Sequence, residues 1–192
     1  MEWEFAILDW LQMFQTPVLT KILAFVTALG EAGWFWIVLG VGLLCTKRYR
    51  AVGTAVLLAL TIDFILANLI LKPLVARPRP CWIRDSVELF VRVPGDYSFP
   101  SGHTMASFAS AGALFLTKRK WGIWALVLSV LMGISRLYFY VHFPTDVLAG
   151  AVLGLFCGYA GFYLMKKLRM TRLGKYYTRR IYGESENQDD CH

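Results

Sequence analysis

Six apolar stretches, at 17–29, 34–45, 51–71, 102–116, 121–136 and 145–165, take up most of the 192 residues. In a chain that is 57% hydrophobic and only 17% charged, runs of this density do not suit a soluble domain. In hydrocarbon every backbone N–H and C=O must be satisfied within the protein, and a helix does so one segment at a time. The sequence therefore predicts an all-α fold, a six-span transmembrane helical bundle, as a single domain over residues 1–192. Several runs, the first above all, fall short of the ~20 apolar residues of an ordinary span. Residues 1–16 are expected to form an interfacial helix leading into the first span. With Glu2, Glu4 and Asp9 and no basic residue among the first ten, that segment does not look like a cleavable signal peptide.

The net charge is +7, from 20 Lys and Arg against 13 Asp and Glu. Its distribution argues against nucleic acid. Lys47, Arg48 and Arg50 follow the second run, Lys118, Arg119 and Lys120 the fourth, and a basic tail over 166–192 the sixth. Alternate connections share one side, and the positive-inside rule makes that side cytoplasmic, with both termini on it. The end of the tail, from Glu184, is expected to be disordered. The four cysteines, Cys45, Cys81, Cys157 and Cys191, have no spacing that suggests a disulfide framework or a zinc site. The oligomeric state is not readable from the sequence.

The opposite connections carry the chemistry. The stretch 135–146 places Arg136, His142 and Asp146 between the fifth and sixth runs. Asp146 falls in the first turn of the helix expected after Pro144. From there a carboxylate can reach back to one imidazole nitrogen of His142 and fix its tautomer, leaving the other free to react. The plainer alternative is a membrane-surface turn with one ion pair. Pro100-Ser101-Gly102-His103 opens the fourth run, where free backbone N–H groups and the helix dipole make a phosphate seat. Gly102 lets an oxyanion approach closely, and Ser101 can cap the helix or donate to phosphate. Lys72 and Arg79-Pro80 close the third run.

Together these three stretches resemble, position for position from Lys72 to Asp146, the signature of the type 2 phosphatidic acid phosphatase family. These membrane lipid phosphatases share a catalytic core with glucose-6-phosphatase and the vanadium haloperoxidases. The resemblance implies a membrane lipid phosphatase with its site at the outer membrane interface. His142 would be the nucleophile, forming phosphohistidine, and Asp146 would orient it. His103 would protonate the leaving oxygen and then activate water. Lys72, Arg79, Ser101, Gly102 and Arg136 would bind the phosphate oxygens. No metal or other cofactor is implied, since cationic side chains take the metal's place.

Among family substrates, undecaprenyl diphosphate is the expected one, because Arg77 and Arg84 offer charge for a second phosphate. Phosphatidic acid or phosphatidylglycerol phosphate is the alternative. From another class, a transporter or flippase with a basic anion-binding pocket would explain the arginines but not His103 or the His142–Asp146 spacing. Asp63, nine residues before Lys72, would lie on the opposite face of an α-helix and serve as a hydrogen-bond partner within the bundle. Asn68, four before Lys72, would share its face.

Overall fold

A computed structural model describes residues 1–84 and 89–171, so Asp85, Glu88 and the tail from Arg172 lie outside the described residues. Nine α-helices occur among them: α1 (Glu2–Gln12), α2 (Pro17–Leu29), α3 (Trp34–Cys45), α4 (Arg50–Phe64), α5 (Lys72–Val75), α6 (Pro80–Ile83), α7 (Gly102–Thr117), α8 (Arg119–Tyr138) and α9 (Pro144–Met170). There is no strand among the described residues.

The all-α expectation holds, but six spans are not found. Three helical stretches, 47–83, α8 and α9, are long and apolar enough to cross a membrane. The expected first and second spans, α2 and α3, make a fourth only if taken as one, bent by 45° at the turn between them. Ala32 and Gly33 adopt positive φ in that turn (50° and 68°), which ends α2 and redirects the chain. By this measure neither the run at 17–29 nor that at 34–45 is long enough to cross a membrane alone.

The helices begin where local chemistry starts them. Thr16 caps α2, its hydroxyl accepting from Leu19 N–H at 3.3 Å, and Pro17 follows in the first turn. Pro144 opens α9, and Asp146 in that turn accepts from Phe143 N–H at 2.9 Å. The carboxylate expected to serve His142 therefore also starts the helix that carries it.

Buried α7 is the centre of the bundle, packed against α9, α8 and α4, with α3 on α4 and α2 on α8. The α7–α9 seam is made of small residues. A Cβ at Gly158 would lie 2.6 Å from the Ala109 carbonyl oxygen, and one at Gly161 would lie 2.8 Å from that of Ala55 in α4. Such seams let backbones touch where the hydrophobic effect gives helices no reason to associate.

Gly102 at the start of α7, the end of α8 and Pro144 at the start of α9 meet at one end of the bundle. The basic ends at Lys47–Tyr49 and Lys118–Lys120 meet at the other, where the Tyr49 and Trp121 rings are 5.0 Å apart. Helix α1 lies at the first of these ends: Gln12 donates to the Tyr138 carbonyl (2.8 Å) and Tyr140 to Asp9 (2.7 Å). The N-terminal helix thus packs at the same end of the bundle as the starts of α7 and α9.

Candidate active site

The site forms where the stretches 72–79, 96–103 and 136–146 converge. Two backbone features aim them. Ala76, just before Arg77, and Tyr140, two residues before His142, both have positive φ (45° and 57°). For a bulky residue such as Tyr140 this conformation is uncommon, and such positions cluster at functional sites.

His142 is 1% exposed, and its two nitrogens face different chemistry. Nε2 lies 3.0 Å from Arg79 Nη1. A guanidinium can only donate, so Nε2 is an acceptor carrying a lone pair and the ring proton sits on Nδ1. Nδ1 faces Ser98 Oγ at 3.4 Å and Asp146 Oδ2 at 3.7 Å. The Ser98 hydroxyl donates to the same Oδ2 at 2.5 Å. Burial pushes the imidazole down to about 3; Asp146 opposes this, while Arg79 and Arg136 add to it. The ring is neutral at physiological pH.

The cations gather on one side of this histidine. Arg79 donates from Nε to the Asp96 carbonyl (2.7 Å), from Nη2 to the Asp96 carboxylate (2.6 Å) and from Nη1 to the Val141 carbonyl (2.8 Å). Lys72 pairs with the other Asp96 oxygen and donates to Asn68 Oδ1 at 2.9 Å, as their spacing predicts. Against the cost of burial, Lys72 and Arg79 hold the Asp96 carboxyl down at about 2. Arg136 donates to Thr27 Oγ1 at 2.6 Å, while its buried Nε has no hydrogen-bond partner among the described residues. A buried donor left without a partner suits a site that receives an anion.

These groups border one cavity of about 710 Å³, lined by Lys72, Arg79, Gly102, His103, Arg136 and His142. Its lining from α3 and α4 includes Ile37, Leu60 and Phe64 beside Thr61 and Asp63. With cations and apolar side chains on one border, the cavity suits a phosphate attached to a hydrocarbon chain.

Two residues stand apart from the others. Ser101 is fully buried, its hydroxyl pairs with Thr104 Oγ1 at 2.9 Å, and it is not among the residues that line the cavity. Asp63 was placed on the face opposite Lys72 by α-helical spacing, yet both line the cavity. Residues Ile65–Leu71 between them are π-helical. A π-turn closes i→i+5 bonds and rotates less per residue, which brings the two side chains around to one side.

Arg77 and Arg84 are also engaged elsewhere. Arg77 reaches Asp146 and Glu4, and Arg84 pairs with Asp9 at 2.7 Å. Glu4, Asp96, Ser98 and Thr27 are the site residues that sequence reasoning missed. Each comes from a loop or helix remote from the residue it serves, and no local spacing marks it.

Residues 48–170 match the family model described as PAP2 superfamily. The chain is 34% identical over 142 residues to an undecaprenyl-diphosphatase of Sulfolobus acidocaldarius, covering 73% of this chain and 68% of that protein. It is also 34% identical over 157 residues to phosphatidylglycerophosphatase B of Bacillus subtilis, covering 74% of this chain and 73% of the relative. In three dimensions it resembles the crystal structure of a transmembrane PAP2 type phosphatidylglycerolphosphate phosphatase from Bacillus subtilis. There the TM-score is 0.72 with 29% identity, over 89% of this chain and 88% of that one.

Proposed function

The chain belongs to the PAP2 superfamily of lipid phosphatases, and from that premise we propose that it hydrolyses a membrane lipid phosphate through a phosphohistidine on His142. The observation that carries this reading is the Nε2 lone pair of His142, held by Arg79 at 3.0 Å on the border of a cavity with three cations. Nε2 attacks phosphorus as the bond to the lipid oxygen breaks, and His103 delivers a proton to that oxygen. The dianionic phosphate favours the imidazolium that His103 needs for this step. His103 then takes a proton from water, which displaces phosphate from Nε2. Lys72, Arg79, Arg136 and the N-terminus of α7 at Gly102 meet the charge on the phosphoryl oxygens, which is most of what phosphoryl transfer asks of a protein. Three positive side chains at that seat support a reaction without a metal ion.

For the substrate we favour a lipid diphosphate, undecaprenyl diphosphate, for which the Sulfolobus relative is named. Arg77 and Arg84 no longer support this choice, since both are paired away from the cavity. The phosphatidylglycerol phosphate reading is favoured by the structural neighbour. Basic residues at the far end of the bundle support a cytoplasmic position for that end and an outward-facing site.

The test is phosphate release by purified protein from undecaprenyl diphosphate, phosphatidylglycerol phosphate and phosphatidic acid in matched micelles, with EDTA present. Turnover in EDTA is expected, with an acid-labile phosphoenzyme that His142→Ala abolishes. A label that survives this substitution would refute the mechanism. A higher kcat/KM for either phosphoglyceride would move the substrate and leave the mechanism standing.

A further inference from the structure

Helix α1 presents Trp3 and Trp10 outward, as an interfacial anchor does, but Glu4 on its inner face is only 3% exposed. Glu4 Oε2 accepts from Arg77 Nη2 at 2.7 Å, and Oε1 accepts from the Thr145 hydroxyl at 2.6 Å. Arg77 Nη1 donates to Thr145 Oγ1 at 2.7 Å and to Asp146 Oδ1 at 2.6 Å, with its guanidinium 4.1 Å over the Phe143 ring. The other oxygen of Asp146 is the one that faces His142 and Ser98.

Taken alone, the Arg77–Asp146 pair is neutral. A carboxylate whose charge is cancelled at one oxygen lends little charge at the other to an imidazole that must become cationic on attack. Glu4 changes the sum. Glu4, Arg77 and Asp146 together carry one net negative charge, and the Arg77 guanidinium is shared between two carboxylates.

We propose that Glu4 is a positioning residue of the active site: it holds Arg77 and balances its charge, so that Asp146 keeps the negative charge that orients and activates His142. The proposal rests on His142 being the nucleophile. It makes α1 part of the catalytic unit, since the residue that sets the carboxylate's charge comes from the helix lying on the membrane surface. Glu4 acts through Arg77, so substrate affinity is unaffected.

A double-mutant cycle tests this. Glu4→Gln leaves Arg77 uncompensated against Asp146, and kcat is expected to fall about tenfold with KM unchanged. Removing the cation as well, in Glu4→Gln/Arg77→Gln, is expected to bring kcat back to within about threefold of the wild type. Glu4→Asp keeps the charge and is expected to keep kcat within about threefold also. A double variant no better than Glu4→Gln, a Glu4→Gln enzyme with wild-type kcat, or an equal loss in Glu4→Asp would each overturn the proposal.

A second readout does not depend on turnover. In protein labelled with 15N-histidine, the Nδ1–H proton of His142, assigned by its loss in His142→Gln, should move upfield in Glu4→Gln. It should return in the double variant. An unmoved resonance in folded Glu4→Gln would overturn the proposal. The expected shifts in a protein that releases no phosphate from any lipid would instead sink the proposed function and leave the role of Glu4 intact.

Discussion

A carboxylate occupies two of the cations proposed to bind phosphate. Asp96, half exposed on its loop, pairs with both Lys72 and Arg79, the two cations that close the third apolar run. Its carboxyl, held at about 2, stays ionised throughout the range in which the enzyme would be assayed, so lowering the pH to 5 does not release it. Any phosphate entering the site must displace it, and apparent affinity is reduced by the fraction of sites it occupies. Asp96→Asn removes the competitor. Inhibition by inorganic phosphate is expected to strengthen about tenfold, with a matching fall in KM. Weaker inhibition would mean that Asp96 orients the two cations and does not compete for them. Lys72, Arg79, His103, Arg136, His142 and Asp146 were legible as three stretches that resemble a family signature, and the structure brings those stretches together. Asp96 and Ser98 were not legible, since a loop carboxylate and a loop hydroxyl look the same whether they face solvent or a histidine.

Helices were readable wherever apolar runs and start signals coincided, as at Pro17 and Pro144. The failures came where geometry departs from the regular α-helix. The chain between Leu29 and Trp34 looked like a link between two spans, and nothing in its composition distinguishes that from a bend within one. The π-helical Ile65–Leu71 reads as an unbroken apolar helix, yet it alters the face on which Asp63 stands. The α7–α9 seam is a third case: its glycines are visible in the sequence, but which helix they touch is not. Because a Cβ at Gly158 would lie 2.6 Å from a backbone oxygen and 3.0 Å from a backbone nitrogen of α7, no side-chain motion relieves it. Gly158→Val is expected to destabilise the protein by about 1–3 kcal/mol through overpacking. The drop in thermal midpoint in detergent, compared with exposed Val152→Ala, measures this. A midpoint unchanged from that control would show that the two helices can separate without loss.

The parts of the molecule differ in how they can respond to their surroundings. Helices α4, α7 and α9 are in backbone contact, and α7 carries His103 and α9 carries Asp146. The α2–α3 pair has a joint at 30–33, and that joint lines the cavity through Gly30, Ala32 and Gly33. A bilayer thicker or thinner than the protein's apolar band must be met by tilting, bending or local deformation, at a fraction of a kcal/mol per Å. The locked helices cannot slide past one another to meet it, so the bent pair is the element that yields. Hydrophobic mismatch would then alter the shape of the cavity while leaving the catalytic groups in register. In vesicles of phosphatidylcholines from 14 to 22 carbons per chain, KM is expected to vary about threefold or more while kcat stays nearly constant. A kcat that followed thickness would place the deformation in the locked helices. On this reading the thickness of the surrounding lipid acts as a selector of substrate, through the bent α2–α3 pair.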